Sequence, residues 1–378
     1  MIRIVRRFIR WWTSLRLLGV VLLALAFLIG ALGYLDQLGL LSLQEAPRQI
    51  LAEFYASTSV ELVGIAIIIF IVESLFQRRG ADREREQLVL QFASSDSASA
   101  LEAARALRTR GWLRDGSVNK ANLHAANLRE ANLQWASLRE ANLREAKLQG
   151  ANLTHADLQG ANLGGAKLQG ANLKEADLQD ANLMRADLQD ANLTDANLQG
   201  ASPYEANLQG ANLKYANLQR AGLTGVNLQG ASLYETNLQG ANLKYANLRD
   251  VNLMRVNLQG ANLTEADLQD ANLKYANLQD AHLKDADLQD ANLKRSNLQH
   301  ADLVGVNLQG ANLWIANLHD ADLEQANLRG ALLGGTNLQG ANLKGAKYDG
   351  ATMWPAGFTP PLEVVDSDDE VGQDDLAE

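Results

Sequence analysis

The side chains able to do acid–base, nucleophilic or metal chemistry are few and scattered. The 378-residue chain has five histidines, at 124, 155, 282, 300 and 319, and no cysteine. Without thiols there is no disulfide, no thiolate metal site and no cysteine nucleophile. The sequence has no phosphate-cradling Gly-rich loop followed by Lys-Ser/Thr, no dinucleotide fingerprint and no Ser/His/Asp set. The one grouping with metal-ligand character is His155, Glu175 and Asp195, spaced by twenty. These three meet only in a chain that returns to the same place every twenty residues, and otherwise they are solvated surface. The chemistry predicts a protein that is not an enzyme and holds no cofactor or metal.

What must position such residues is a repeat. Residues 171–190 read ANLKEADLQDANLMRADLQD. From Leu123 to Leu343 every fifth residue is Leu, with Pro203 as the exception. Two places earlier stands Ala, or now and then Val, Thr or Ser, as at Val226, Thr236 and Ser296. A helix cannot use this pattern, because steps of five advance about 140° and spread leucine over every side. A long strand cannot either, because an odd period flips leucine to the opposite face at each repeat. A short extended piece followed by a corner fits: Ala and Leu point inward, Asn outward, and the next two residues turn the chain.

The A(N/D)Lxx run resembles the pentapeptide-repeat family, over residues 116–355. The resemblance implies an all-β solenoid, a right-handed quadrilateral β-helix with four pentads and twenty residues per coil. Twelve such coils stacked at about 4.8 Å would make a rod of roughly 55–60 Å, stabilised between nearest neighbours and in need of caps at its ends. A ten-residue period overlies the five: alternate pentads end Gln-Gly or Gln-Asp, as at Gln149, Gln159 and Gln169. Glutamines twenty apart are expected to stack as amide ladders on two opposite faces. Pro203 should remove one hydrogen bond to the neighbouring coil, with a kink, a bulge or nothing beyond that loss.

The remainder is of another kind. LLGVVLLALAFLIGALGYL, residues 17–35, is uncharged and long enough to span a bilayer. Residues 56–76 form a weaker segment, in which Glu61 and Glu73 bracket a strictly apolar stretch of eleven. Arg3, Arg6, Arg7, Arg10 and Arg16 precede the first segment, and Arg78, Arg79, Arg83 and Arg85 follow the second. The positive-inside rule then predicts an α-helical transmembrane hairpin in residues 1–80 with both ends cytoplasmic, in a multi-pass protein of a bacterial inner membrane. A cleaved signal peptide is the rival reading of residues 1–35, and it would export the rod. Residues 81–115 predict a linker and a capping helix, with an N-cap near 95–97, a face of Leu101, Ala104 and Leu107, and a stop at Gly111. Tyr348, Met353, Trp354 and Phe358 are expected to plug the other end. Both plugs resemble those of bacterial, cyanobacterial-type members. Residues 356–378 predict an acidic disordered tail, with eight acids from Glu363 on and no base.

With four pentads per coil, one surface stands out. Lys214-Tyr215, Tyr234-Glu235, Met254-Arg255, Lys274-Tyr275, Lys294-Arg295 and Trp314-Ile315 would stack on one face as five bases, one acid and six large apolar side chains. These residue types are enriched at protein interfaces. The strip could bind a protein partner or anionic lipid, or its pairs could be corner decoration, since corners tolerate almost any residue. The leading expectation is a membrane-tethered scaffold displaying a rigid protein-binding surface. Family resemblance also offers a DNA-mimicking gyrase inhibitor. Residues 121–355 carry 25 acids against 19 bases, a net of −6, which is mild for mimicry of nucleic acid and, with the tether, weighs against a nucleic-acid role. A third reading makes the hairpin a membrane sensor or assembly factor working through Glu61 and Glu73. Homo-oligomerisation stays open.

Overall fold

The computed structural model describes residues 19–28, 31, 35 and 45–360, with side chains in the long helix from 60 onward. The first arginine cluster, most of residues 29–44 and the acidic tail from 361 lie outside the described residues. The chain divides into two compact units, Met1–Glu86 and Gln87–Glu378.

In the first unit, helix α1 covers Gly19–Leu28 and α2 runs from Glu45 to Phe92, passing into the second unit. A Cβ at Gly19 would lie 3.5 Å from Ile69 and 3.7 Å from the Phe70 ring, and Ala26 and Ala66 are buried. The expected boundary at residue 80 falls inside α2. Residues 81–92, ADREREQLVLQF, are nearly all good helix formers, and Gly80 alone does not interrupt them. Within α2, Val60–Phe92 is long and apolar enough to cross a membrane.

The second unit begins with the end of α2 and with α3, Ser97–Thr109. Asp96 caps α3 by accepting Ser99 N–H at 2.9 Å and its hydroxyl at 2.7 Å. Gly111, at φ 79°, closes the far end: Gly111 N–H donates to Arg108 C=O and Trp112 N–H to Leu107 C=O, the Schellman arrangement. Phe92, Ala100, Ala103, Ala104 and Leu107 join the same core cluster as the repeat leucines, and Leu101 packs beside them. Ser94 C=O and Leu113 C=O take up the Asn127 and Ser137 N–H groups, which have no earlier coil to bond. The capping helix therefore plugs the first coil.

From Asn122 to Lys347 every bridge joins residues twenty apart, in parallel. The coil is thus twenty residues and four pentads round. Among the described residues no run is long enough to form a strand; the expected all-β solenoid is a stack of single-residue bridges. The pentad 172–176 shows why this backbone is stable. Asn172 N–H donates to Ala151 C=O in the preceding coil, while Leu173 and Glu175 N–H donate to Asn192 and Thr194 C=O in the next. Ala176 N–H closes the turn on Leu173 C=O. Lys174 N–H has only the Asn172 side-chain oxygen, at 3.1 Å. All five donors are satisfied, as a compact backbone requires. Asn or Asp in the second place is the acceptor for the fourth N–H. The fifth place sits at positive φ, 56° at Glu175.

Leu and Ala fill the interior at almost zero exposure from Leu123 to Leu333, with slightly more exposure at the two ends, as at Ala121 and Leu343. The polar substitutes keep partners there: Thr236 and Thr336 hydroxyls donate to Leu213 and Leu313 C=O, and Ser296 to Leu293 C=O. Pro203 occupies its inward place. Ser202 bridges back to Asn182 and Gly222 on to Asn242, but no bridge joins Ser202 to Gly222; even so, Gly222 N–H reaches Ala201 C=O at 2.9 Å and Glu205 N–H reaches Thr224 C=O at 3.0 Å. One inter-coil bond is lost, and the bonds on either side of it keep the twenty-residue register.

Two expectations are corrected. The glutamines form ladder bonds only from Gln219 through Gln239 to Gln259, at 3.0 and 3.4 Å. Gln159, Gln169 and Gln269 instead donate to Asp177, Asp187 and Asp287 of the next coil, because a carboxylate is the stronger acceptor. The long amide ladder is made of asparagines: from Asn337 back to Asp177, side-chain bonds of 3.0–3.4 Å link consecutive coils without a gap. At the C-terminal end the last bridge, Leu332 to Met353, spans 21 residues. Asp349 accepts the Gly330, Ala351 and Thr352 N–H groups and widens that turn by one residue. Thr352 consequently takes the inner place, with its hydroxyl on Leu328 C=O at 2.9 Å, and Met353 is left 54% exposed. Tyr348, Trp354 and Phe358 pack against the core as expected, through an edge contact of 5.3 Å and a stack of 5.3 Å.

Candidate interaction surface

Two side chains per pentad leave the corner, and the twenty-residue register stacks them. Bridges from Asn212 through Ser232, Asn252, Asn272 and Asn292 to Asn312 align the six pairs expected to form a strip. The structure brings them together. Tyr215 meets Tyr234 edge-on with centroids 5.7 Å apart. Arg255 Nη1 donates to Glu235 Oε1 at 2.9 Å and to Tyr234 Oη at 3.5 Å. The Arg255 and Arg295 guanidinium carbons each lie 5.9 Å from the Tyr275 ring centroid, and Lys274 Nζ lies 5.0 Å away. Arg295 Nη1 also donates to Tyr275 Oη at 3.5 Å. Lys214, Met254 and Lys294 complete the surface beside these contacts.

The charges act on one another through solvent-exposed contacts. The neighbouring Tyr234 hydroxyl and Arg255 guanidinium hold the Glu235 carboxyl below its ordinary range, while Glu235 raises Tyr234 and Arg255. Lys274, followed by Arg295, lowers the Tyr275 phenol.

Trp314 and Ile315 end the strip and are 42% and 46% exposed. The indole lies over Gly334, where a Cβ would come within 2.2 Å of Cζ3. Ile315 has φ 58° and is the β-branched member of the non-glycine residues at positive φ. That conformation is strained for such a side chain.

The same edge holds contacts that the strip as read from sequence did not include. Trp135 stacks on His155 with centroids 3.9 Å apart and planes inclined by 12°. His155 Nδ1 is 3.1 Å from Glu175 Oε2. Trp135 lies twenty before His155, so the period could have found it. The His155, Glu175 and Asp195 column thus holds one close side-chain contact, His155 to Glu175, and among the described residues no group of three His, Cys, Asp or Glu could hold a metal. On the opposite face Lys244 lies over the Tyr245 ring at 4.5 Å, so basic–aromatic pairing is not confined to the strip.

The family profile described as pentapeptide repeats matches in overlapping segments from 113 to 314 and again over 316–354. Among solved structures, the chain is similar to Rfr23, a pentapeptide repeat protein from the cyanobacterium Cyanothece 51142, with 40% identity over 30% of this chain and 90% of that one, TM-score 0.30. It is similar to HetL, a pentapeptide repeat protein involved in heterocyst differentiation regulation in Nostoc sp. strain PCC 7120, with 36% identity over 65% of this chain and 97% of that one, TM-score 0.26. A trypsin-treated form of QnrB1, a plasmid-mediated fluoroquinolone resistance protein, is 18% identical over 53% of this chain and 91% of that one, TM-score 0.27. Comparison with curated proteins gives no match. The profile covers well over half of the sequence, its matched segments are the coils whose register is twenty, and on that ground the chain belongs to the pentapeptide-repeat family.

Proposed function

We propose that the protein is a non-enzymatic scaffold, tethered to a membrane by its N-terminal hairpin, whose rod presents a protein-binding surface on the cytoplasmic side. The observation that carries the binding role is the strip from Tyr215 to Ile315. Its aromatic and cationic side chains are held by mutual contacts on a backbone whose inter-coil bonds repeat without a gap along that face. Such a surface is ordered before a partner arrives, which lowers the entropy cost of association.

The tether is supported by the surface of α2. Residues 62–72, LVGIAIIIFIV, are apolar all round the helix, and Val63, Ile65, Ile67, Ile68, Phe70 and Ile71 within them are exposed. A helix apolar all round requires lipid or protein around it. The arginines at 78, 79, 83 and 85 favour the cytoplasmic side for its C-terminal end under the positive-inside rule.

The test is proximity labelling from the rod in the native host, comparing the natural chain with a Tyr215→Ser, Tyr275→Ser, Trp314→Ser variant. A defined subset of labelled proteins should disappear. An unchanged set would remove the strip from the function. Resistance of the full chain to alkaline extraction from membranes tests the tether separately.

A further inference from the structure

Lys274, Lys294 and Arg295 crowd the Tyr275 ring from adjacent coils. None of the three has a carboxylate partner among the described residues, whereas Arg255 in the coil before is paired with Glu235. The strip thus carries a knot of unneutralised cations, with exposed Trp314 and Ile315 on its C-terminal side. Like charges this close call for an anion.

The chain supplies one. Beyond the described residues the sequence continues LEVVDSDDEVGQDDLAE from Leu362, and no base follows Lys347. It opens with three aliphatic residues, Leu362, Val364 and Val365, and then turns acidic at 366, 368, 369 and 370. The strip, followed away from the rod's C-terminal end, shows the matching order: the apolar pair Trp314 and Ile315, then Arg295 and Lys294, then Lys274. The starting point is also right. The bridges Asn292 to Asn312, Asn312 to Leu332 and Leu332 to Met353 put the last bridged residue on the strip's own face, two coils past Trp314. Three coils, about 14 Å, separate Met353 from Lys294. The 18 residues from 361 to 378 can extend to about 60 Å.

We propose that the acidic C-terminal segment, residues 362–378, folds back along the rod and occupies the strip, with its aliphatic lead on Trp314 and Ile315 and its carboxylates on Arg295, Lys294 and Lys274. This rests on the reading of the strip as a binding surface and names its resident ligand. An external partner of the same chemistry, acidic with an apolar anchor, must displace the segment. Tethering gives the segment a high effective concentration, and the charge component weakens with salt.

Because the chain has no cysteine, two introduced thiols are the only ones present. In full-length protein in detergent, Gly372→Cys is paired with Met254→Cys on the strip or with Thr264→Cys, half a coil away on the opposite face. Oxidation should join the strip pair about tenfold faster, as expected for docking over random tethering. Adding Lys294→Glu and Arg295→Glu, or molar salt, should abolish the difference. Equal rates for the two pairs, or a strip rate indifferent to the glutamates, overturns the proposal. If equal rates accompany lost proximity labelling in the serine variant, the binding surface stands and its resident ligand is rejected. A fast strip pair with unchanged labelling keeps the resident ligand and rejects the outside protein partner.

Discussion

Replacing Pro203 by Leu should strengthen the rod at the coil where its backbone is weakest. Elsewhere between Leu123 and Leu333 the inward residue donates its N–H to the next coil at 2.6–2.9 Å, apart from 3.1 Å at Leu183, whose acceptor is Ser202 next to the proline. A leucine at 203 regains a donor for Gly222 C=O, a net gain of about 1 kcal/mol. It also adds roughly one buried carbon, about 0.8 kcal/mol. Against this, removing proline frees the unfolded chain, a loss of about 0.4–1 kcal/mol. The balance is close to 1 kcal/mol in favour of the variant, which corresponds to about fivefold slower opening. The readout is native-state hydrogen exchange of the full chain, resolved to residues 183–223, because a solenoid's stability is local and one global midpoint would average it away. The reverse change, Leu213→Pro, deletes the Leu213 bond to Ser232 C=O at 2.8 Å and should lose about 1–3 kcal/mol in its own coil. Unchanged or faster exchange in Pro203→Leu, with Leu213→Pro damaging as expected, would refute the reasoning. It would mean that the proline coil is adapted to its residue and that the missing bond costs nothing.

Further outcomes are expected. Gly334→Ala should drive the Trp314 indole off its bed, since a Cβ there collides with three ring atoms; a shifted indole N–H resonance reports it, and an unmoved one contradicts the packing. Asp96→Ala should cost about 1 kcal/mol by removing the α3 cap, seen as faster exchange in α3 and the first coil. Because Glu235 titrates below its ordinary range, its contacts with Tyr234 and Arg255 contribute above about pH 4.3 and are lost as pH falls through the lower folded value; carboxyl NMR titration should show the depression shrink in Tyr234→Phe and also in Arg255→Ala. Tyr275 should ionise below the ordinary phenol range and move up in Lys274→Gln, measured on ring-labelled tyrosine.

How much of the molecule is legible in its sequence differs by feature. The leucine and alanine positions are readable because burial follows directly from a fixed period, and the interior agrees with them residue by residue from Leu123 to Leu333. The asparagine's second duty is not. Its outward direction follows from alternation, but that Asn172 must accept Lys174 N–H emerges only when every donor of the pentad is traced. The glutamine ladders fail for a related reason: at Gln159 and Gln169 a carboxylate in the next coil outcompetes a neighbouring amide, and composition does not reveal which acceptor a long side chain chooses. The division at residue 80 follows a change in polarity, and α2 continues through it as far as Phe92. Met353 is misplaced because one extra residue, accommodated by Asp349, shifts the last turn without breaking any pattern upstream. The six corner pairs follow from the five-residue period once the family resemblance supplies four pentads per coil, but the Trp135–His155 stack shows that the same edge begins several coils earlier.

The twenty-residue register also sets the angular outcome of any insertion or deletion. Gaining or losing twenty residues would lengthen or shorten the rod while keeping every downstream side chain at the same compass bearing. A change of ten would preserve the leucine interior equally well, yet swing everything beyond it through half a revolution. A recombination event between coils can therefore be invisible to folding and still turn half of the strip to the opposite side.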